Sequence, residues 1–110
     1  MNVLVVEPGI VPYEKEINGH EEMKAVVGGP ICTRYLFEEG TVIIANDDME
    51  FTKEHFNRRL GTGSDGVFGT FFICGEGEKE FCSLTPEQIE TYKRGFWWST
   101  QGPPGPPRCR

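Results

Sequence analysis

The chain has 110 residues and a formal net charge of −6, and 37% of its side chains are hydrophobic. This length and composition are typical of one globular domain with a single core. The acidic surplus disfavours direct binding of nucleic acid, because a lysine or arginine usually neutralises each contacted phosphate.

The start of the chain gives no export or membrane signal. The apolar run at residues 3–6 is too short for a signal peptide or a membrane span, so we expect a cytoplasmic protein with reduced thiols. The four cysteines, Cys32, Cys74, Cys82 and Cys109, include no closely spaced pair. Structural zinc sites usually contain two such pairs, so we expect no metal or cofactor, and a three-cysteine zinc site is the weaker alternative.

The first predicted elements are a strand and a helix. Residues 3–6 are all apolar and predict a strand that is covered on both faces. Residues 17–27 predict a short helix with Asn18 as the N-cap and Glu21 as its capping-box partner. Residues 28–30, Gly-Gly-Pro, predict the end of this helix.

The middle of the chain predicts further strands. Residues 31–37 and 41–45 predict a hairpin, with a turn at residues 38–40. Residues 46–59 are polar with a weak helical periodicity. Residues 67–73 are rich in aromatic and branched side chains and predict one strand. A short strand is also expected at Phe81.

The second helix has the most complete start signal in the chain. Thr85 is the predicted N-cap, Pro86 the first helical residue, and Gln88 the capping-box partner. Leu84 and Ile89 have the spacing of a hydrophobic staple across the cap. The predicted buried stripe of the helix consists of Ile89, Tyr92 and Phe96.

The last residues differ in composition from the rest. Residues 1–98 are expected to form the domain, and residues 99–110 form a tail rich in glycine and proline that favours polyproline II. Trp97 and Trp98 are adjacent, so both cannot face the same side of a core. We therefore expect one of them to be exposed or covered by the tail or a partner.

Two features that could suggest catalysis lack the necessary context. Residues 61–66 match the GxGxxG pattern of phosphate-binding loops, but they lead into a predicted strand and not into a helix. The two histidines, His20 and His55, have no candidate nucleophile beside them in the sequence. The sequence therefore favours a non-catalytic protein.

A group of polar residues is a candidate ligand site. Arginine offers a planar fork that suits phosphate or carboxylate, and asparagine offers both a donor and an acceptor. The alternative interpretation is that the arginines pair with nearby acids and that Asn57 caps a turn. The candidate ligand-binding residues are Asn46, Asn57, Arg58, Arg59 and Thr70.

A second group of residues is a candidate surface for a protein partner. Acidic side chains could occupy a basic groove on another protein, and exposed tryptophans are frequent at the centre of interfaces. The candidate partner-binding residues are Glu38, Glu39, Asp47, Asp48, Trp97 and Trp98.

Six blocks of the sequence carry a family resemblance: residues 3–9, residues 27–29, Asn46, Asn57-Arg58, residues 69–75 and residues 83–89. Through them the chain resembles, over residues 1–96, the small phage, mobile-element and bacterial family catalogued as domain of unknown function thirty-eight forty-six. The resemblance implies an accessory protein of a phage or conjugative element, in a family with no assigned enzymatic activity. Family members often have proline before the Asn-Arg pair, whereas this chain has Phe56, so the loop is expected to differ in shape.

The sequence thus predicts an α+β domain with a mainly antiparallel sheet of about four or five strands and two helices packed on one face. The expected function is that of a non-catalytic inhibitor or adaptor of a phage or mobile element. Its partner would be a host protein, such as a nucleic-acid-binding defence effector, bound through the acidic surface. The alternative is a small-molecule binder that sequesters an anionic, nucleotide-like ligand.

Overall fold

The computed structural model describes residues 1–35, 40–50, 55–60 and 66–97. Its fold is α+β with antiparallel strand pairs, as the sequence predicted. In chain order the elements are β1 (Asn2–Val6), β2 (Tyr13–Glu16), α1 (His20–Val27), β3 (Ile31–Arg34), β4 (Thr41–Asn46), β5 (Phe56–Arg59), β6 (Gly66–Phe68), β7 (Phe71–Glu76), β8 (Phe81–Cys82) and α2 (Pro86–Gly95).

The main sheet has six strands, and a separate hairpin contains two more. The strand order of the main sheet is β2-β1-β7-β4-β3, and β8 pairs with the end of β7. Strands β5 and β6 pair only with each other among the described residues. The main sheet therefore exceeds the predicted size of about four or five strands. Strand β2 was not predicted, because its sequence Tyr-Glu-Lys-Glu offers a single apolar residue to reveal an alternating pattern.

The two helices lie on opposite faces of the main sheet, so the prediction that both pack on one face is wrong. Leu4 and Val6 of β1 face a core that includes Ile89 and Tyr92 of α2. Val3 and Val5 face the other core, which includes Met23 and Val27 of α1. A central strand that is apolar on both sides needs cover on both sides. The fully buried run at residues 3–6 therefore requires one helix for each face.

Two predictions in the middle of the chain are corrected by the structure. Residues 67–73 do not form one strand, because Gly69 adopts a φ of 79° and separates β6 from β7. The weak helical periodicity at residues 46–59 is misleading, because Phe56–Arg59 form strand β5. The predicted hairpin of β3 and β4 is confirmed, although its residues 36–39 lie outside the described residues.

The helix starts differ in how well the sequence predicted them. In α2 the Thr85 hydroxyl accepts from the Gln88 N–H, and the Gln88 side chain accepts from the Thr85 N–H, which confirms the capping box. In α1 the N-cap is Gly19, and the predicted pair of Asn18 and Glu21 is wrong. Instead, the backbone N–H of Asn18 donates to the Glu22 carboxylate at 2.6 Å. Neither described helix is long and apolar enough to cross a membrane.

Candidate functional site

A bulge in the small hairpin turns two consecutive polar side chains into the protein. The register of β5 against β6 shifts between Phe56 and Arg58, so Asn57 is the extra residue of a bulge. In a regular strand the side chains of Asn57 and Arg58 would point to opposite faces. Here both are buried, with exposed fractions of 1% and 2%. The bulge therefore places both side chains in the interior.

The Arg58 guanidinium is bonded to oxygen atoms from three segments of the chain. Its Nε donates to the Phe96 carbonyl at 2.8 Å, and its Nη2 donates to the Ile10 carbonyl at 2.7 Å. Its Nη1 donates to Asn57 Oδ1 at 2.8 Å and, at longer distances, to the carbonyls of Asn57 and Glu7. Burial lowers the pKa of Arg58. The contact with Phe96 places this cation at the C-terminal end of α2, where the helix dipole favours positive charge.

Asn57 connects the ends of two strands. Its Nδ2 donates to the Val6 carbonyl at 2.7 Å and to the Gly69 carbonyl at 2.8 Å, while its Oδ1 accepts from Arg58. An asparagine amide has two N–H donors, and both are used here. Asn57 therefore holds the end of β1 against the break between β6 and β7.

A buried carboxylate next to this pair was missed at the sequence level. The Glu7 side chain is 3% exposed, and its Oε2 accepts from the Tyr13 hydroxyl at 2.8 Å. The available signal was a charged residue directly after four apolar strand residues and directly before Pro8-Gly9. We call Glu7, Tyr13, Asn57 and Arg58 the Arg58 network. It joins the loop after β1, the hairpin and the end of α2.

The other three predicted ligand residues do not share the hydrogen bonds described for the Arg58 network. Asn46 donates from Nδ2 to the Val27 carbonyl at 3.2 Å and accepts at Oδ1 from the Asp48 N–H at 2.8 Å. It therefore joins the end of α1 to the turn after β4. Arg59 is exposed, and Thr70 is half-buried between β6 and β7. The structure thus brings Asn57 and Arg58 together and places Asn46 at a different contact.

The predicted partner-binding residues are found on separate surface segments. Asp47 and Asp48 are exposed in the turn after β4. Trp97 follows α2 and is 41% exposed. Glu38, Glu39 and Trp98 lie outside the described residues, so their predicted role stays a prediction.

Acidic and basic side chains are distributed differently between surface and interior. Of the thirteen described aspartates and glutamates, twelve are exposed, and Glu7 is the buried one. Of the eight described lysines and arginines, three are exposed (Arg59, Lys79 and Arg94), four are half-buried, and Arg58 is buried. The described surface therefore carries twelve acidic and seven basic side chains, an acidic surplus of the same sign as the net charge of the chain.

The reactive side chains show no metal-binding geometry within the described residues. No group of three or more histidine, cysteine, aspartate or glutamate side chains there is arranged to hold a metal ion. Cys32, Cys74 and Cys82 are free thiols. Burial raises the pKa of Cys74 to about 12, which keeps this thiol protonated and unreactive at neutral pH. His20 is exposed at the start of α1, and His55 is half-buried before β5.

Comparison with known proteins gives one match. A family model described as Domain of unknown function (DUF3846) matches residues 1–96. This range includes the Arg58 network, both helices and every described strand. Searches of curated proteins and of solved structures gave no match.

Proposed function

We propose that this chain, which belongs to the DUF3846 family, is a non-catalytic binding protein of a phage or mobile element. It acts as an inhibitor or adaptor on a host defence protein in the bacterial cytoplasm. The observation that carries the proposal is the charge distribution, with twelve exposed acidic residues against three exposed and four half-buried basic residues among the described residues. Such a surface is suited to a basic groove that normally receives nucleic acid.

Electrostatics give this surface a physical advantage in finding such a partner. An acidic protein and a basic groove attract each other over about one Debye length, which is about 8 Å at physiological salt. This attraction raises the association rate and disfavours partners with an acidic surface. The acidic surface therefore supplies selectivity without a deep pocket.

Asp47, Asp48 and Trp97 are the described residues that we assign to the contact. The two aspartates are adjacent and exposed, and Trp97 is one of the two exposed large hydrophobic residues described. Tryptophan is enriched among residues that contribute most to binding energy. We therefore expect the aspartates to affect mainly the association rate and Trp97 to affect mainly the dissociation rate.

The small-ligand alternative is the weaker proposal, because the Arg58 guanidinium already donates hydrogen bonds to groups inside the protein. A phosphate held by Arg58 would have to replace hydrogen bonds to the carbonyls of Ile10 and Phe96. Those buried carbonyls would then lose their partner, which costs about 1–3 kcal/mol for each group. Of the two adjacent arginines, Arg59 alone is exposed.

The test is capture of partners from bacterial lysate by the tagged chain, followed by native mass spectrometry. We expect a stoichiometric protein complex that added duplex DNA competes away and that weakens as salt rises to about 0.5 M, where charges are strongly screened. The double variant Asp47→Lys/Asp48→Lys should lose the complex. The matched control Glu14→Lys/Glu16→Lys makes the same change of net charge on β2 and should retain most of it.

Other outcomes count against the proposal. A complex that is insensitive to salt and DNA would contradict the electrostatic contact. A small bound molecule that is lost in Arg58→Ala, with no protein partner, would support the ligand alternative. Removal of residues 99–110 tests the tail, and an unchanged affinity would exclude it from the contact.

A further inference from the structure

The two edges of the main sheet differ in their side chains. Among the described residues, strand β2 forms one edge with the sequence Tyr-Glu-Lys-Glu, and β3 forms the other with Ile-Cys-Thr-Arg. An edge strand exposes backbone groups that can pair with another chain, and charged side chains usually prevent this. By this criterion β2 is protected, whereas β3 has a single charged residue.

The hydrogen-bond pattern shows which backbone groups of β3 point outward. The N–H of Asp47 donates to the Pro30 carbonyl at 2.8 Å. Hydrogen-bonded pairs alternate along an antiparallel ladder, so Cys32 and Arg34 bond to Ala45 and Ile43 of β4. The backbone groups of Ile31 and Thr33 therefore point away from the sheet. The same alternation extends to Tyr35, which follows the strand.

The hydrogen bonds of β2 show in the same way which of its backbone groups point outward, and these groups belong to acidic residues. Met1 and Ile17 exchange two backbone hydrogen bonds of 2.9 Å. The alternation then turns the backbone groups of Glu14 and Glu16 outward. Both side chains are exposed. Pairing of this edge with its own copy would bring like charges together, which is unfavourable.

We propose that the β3 edge binds a second copy of this chain. The two β3 strands pair in antiparallel orientation about a two-fold axis at Thr33. In this register Thr33 lies opposite Thr33 of the second copy, and Ile31 lies opposite Tyr35 of the second copy. The main sheet then continues from one protomer into the other. This inference does not depend on the proposed function.

The apolar side chains fit this pairing. Tyr35 is 61% exposed, the largest exposed fraction among the large hydrophobic residues described. Ile31 is half-buried and packs on the α1 side of the sheet. The Tyr35 hydroxyl bonds to the side chains of Glu76 and Thr33 in its own protomer. The two-fold axis sets Tyr35 of one copy opposite Ile31 of the other, twice in each dimer. Aromatic rings against branched side chains, and threonine against threonine, are favourable cross-strand pairs.

The charges near β3 also favour this pairing. Residues 31–35 contain no acidic side chain, whereas the described surface is otherwise strongly acidic. The Arg34 side chain is held within its own protomer, because its Nη1 donates to the Gly66 carbonyl at 2.8 Å. In the proposed register Arg34 of the second copy lies opposite Cys32. The pairing therefore brings no like charges opposite each other, and it does not require Arg34 to leave the Gly66 carbonyl.

The expected dimer is small and its association depends on concentration. The pairing forms about six backbone hydrogen bonds between the copies. Light scattering during size-exclusion chromatography should show a shift from monomer to dimer between about 1 and about 500 µM, as expected for a small interface. A wild-type protein that stays monomeric over this range would overturn the proposal. The β3 edge would then be available for pairing with a strand of another protein.

Two substitutions at the proposed axis give the decisive test. Thr33→Asp and Thr33→Lys each place like charges opposite each other and should weaken dimerisation by at least about tenfold. An equimolar mixture of the two variants places opposite charges on the axis and should restore a mixed dimer. Native mass spectrometry with one variant isotopically labelled distinguishes the mixed dimer from either homodimer.

The control is Glu14→Lys on the β2 edge, which should leave the wild-type dimer unchanged. Circular dichroism should show that each variant keeps its fold. A dimer that survives both Thr33 substitutions must use another surface, and this result would overturn the proposal. A mixture that remains monomeric would overturn it as well, because Thr33 could not then lie on the axis.

Discussion

At the residue scale, we expect the loss of the Asn57 side chain to lower the free energy of unfolding more than the loss of any other side chain of similar size. Asn57→Ala leaves the carbonyls of Val6 and Gly69 without their shared donor and removes an acceptor from Arg58. We expect the free energy of unfolding to fall by about 2–4 kcal/mol, because these buried groups cannot find water. Urea unfolding followed by tryptophan fluorescence measures the change.

The matched control for Asn57→Ala is Arg59→Ala in the same strand. Arg59 is exposed, so its truncation should change the free energy of unfolding by no more than about 0.5 kcal/mol. Equal losses for both variants would show that the strand as a whole, and not the buried amide, determines the effect.

Cys74 links the stability of the protein to alkaline pH. Burial raises its pKa from the ordinary 9.0 to about 12 in the folded protein. Between these values the unfolded chain releases the thiol proton and the folded protein retains it. The contribution to stability is therefore complete below pH 9.0 and is lost as pH rises through about 12. We expect unfolding free energies measured at increasing pH above 9.0 to fall less steeply for Cys74→Ala than for the wild type.

The comparison of slopes removes the contributions of other groups that titrate in this range, since they are common to both proteins. Parallel slopes for Cys74→Ala and wild type would contradict the assignment to Cys74.

At the element scale, α2 depends on its capping box. In Thr85→Ala the Gln88 N–H loses its acceptor, and the free energy of unfolding should fall by about 1 kcal/mol. Thr91→Ala changes the same residue type at an exposed position inside the helix and should have little effect or be slightly stabilising. Thermal denaturation of both variants makes the comparison, and an unchanged melting temperature for Thr85→Ala would contradict the role of the cap.

Local signals explain which elements could be predicted from the sequence. The start of α2 depends on side chains within four residues of each other, so its spacing alone determines the cap. The turn at Gly69 depends on long-range contacts, because the Gly69 carbonyl accepts from Asn57 and its N–H donates to the His55 carbonyl. A stretch rich in branched and aromatic residues predicts one continuous strand, so its composition does not indicate the break. Strand β2 similarly forms because β1 provides a partner, and not because of its own composition.

The same distinction applies to the candidate site. Asn57 and Arg58 were identified as important from their residue types, but their burial depends on a bulge that the sequence does not reveal. Glu7 was missed because a lone carboxylate beside a turn usually lies in solvent. Its carboxylate accepts from the Tyr13 hydroxyl, and Tyr13 is six residues away in the unpredicted strand β2. The sequence therefore indicated the residues of the network better than their role.

At the scale of the whole molecule, the acidic surface should act against the folded state. The described surface of this protein, which measures 36 × 31 × 29 Å, has twelve exposed acidic residues against three exposed and four half-buried basic residues. At about 0.01 M salt the Debye length is about 30 Å, so charges across the whole protein repel one another. Unfolding separates these charges and relieves the repulsion.

Screening should therefore stabilise this protein, although it weakens the surface ion pairs Lys24–Glu21 and Arg94–Glu90. Such pairs contribute little, about 0–1 kcal/mol each, so the net repulsion should dominate. We expect the melting temperature to rise as salt increases from about 0.01 to about 0.3 M. Glu78→Lys/Glu80→Lys brings the net charge closer to zero through two exposed residues of the β7–β8 turn, and it should reduce this rise. A melting temperature that falls with salt would mean that the ion pairs stabilise the protein more than the repulsion destabilises it. The acidic surface would then lower the free energy of unfolding only slightly.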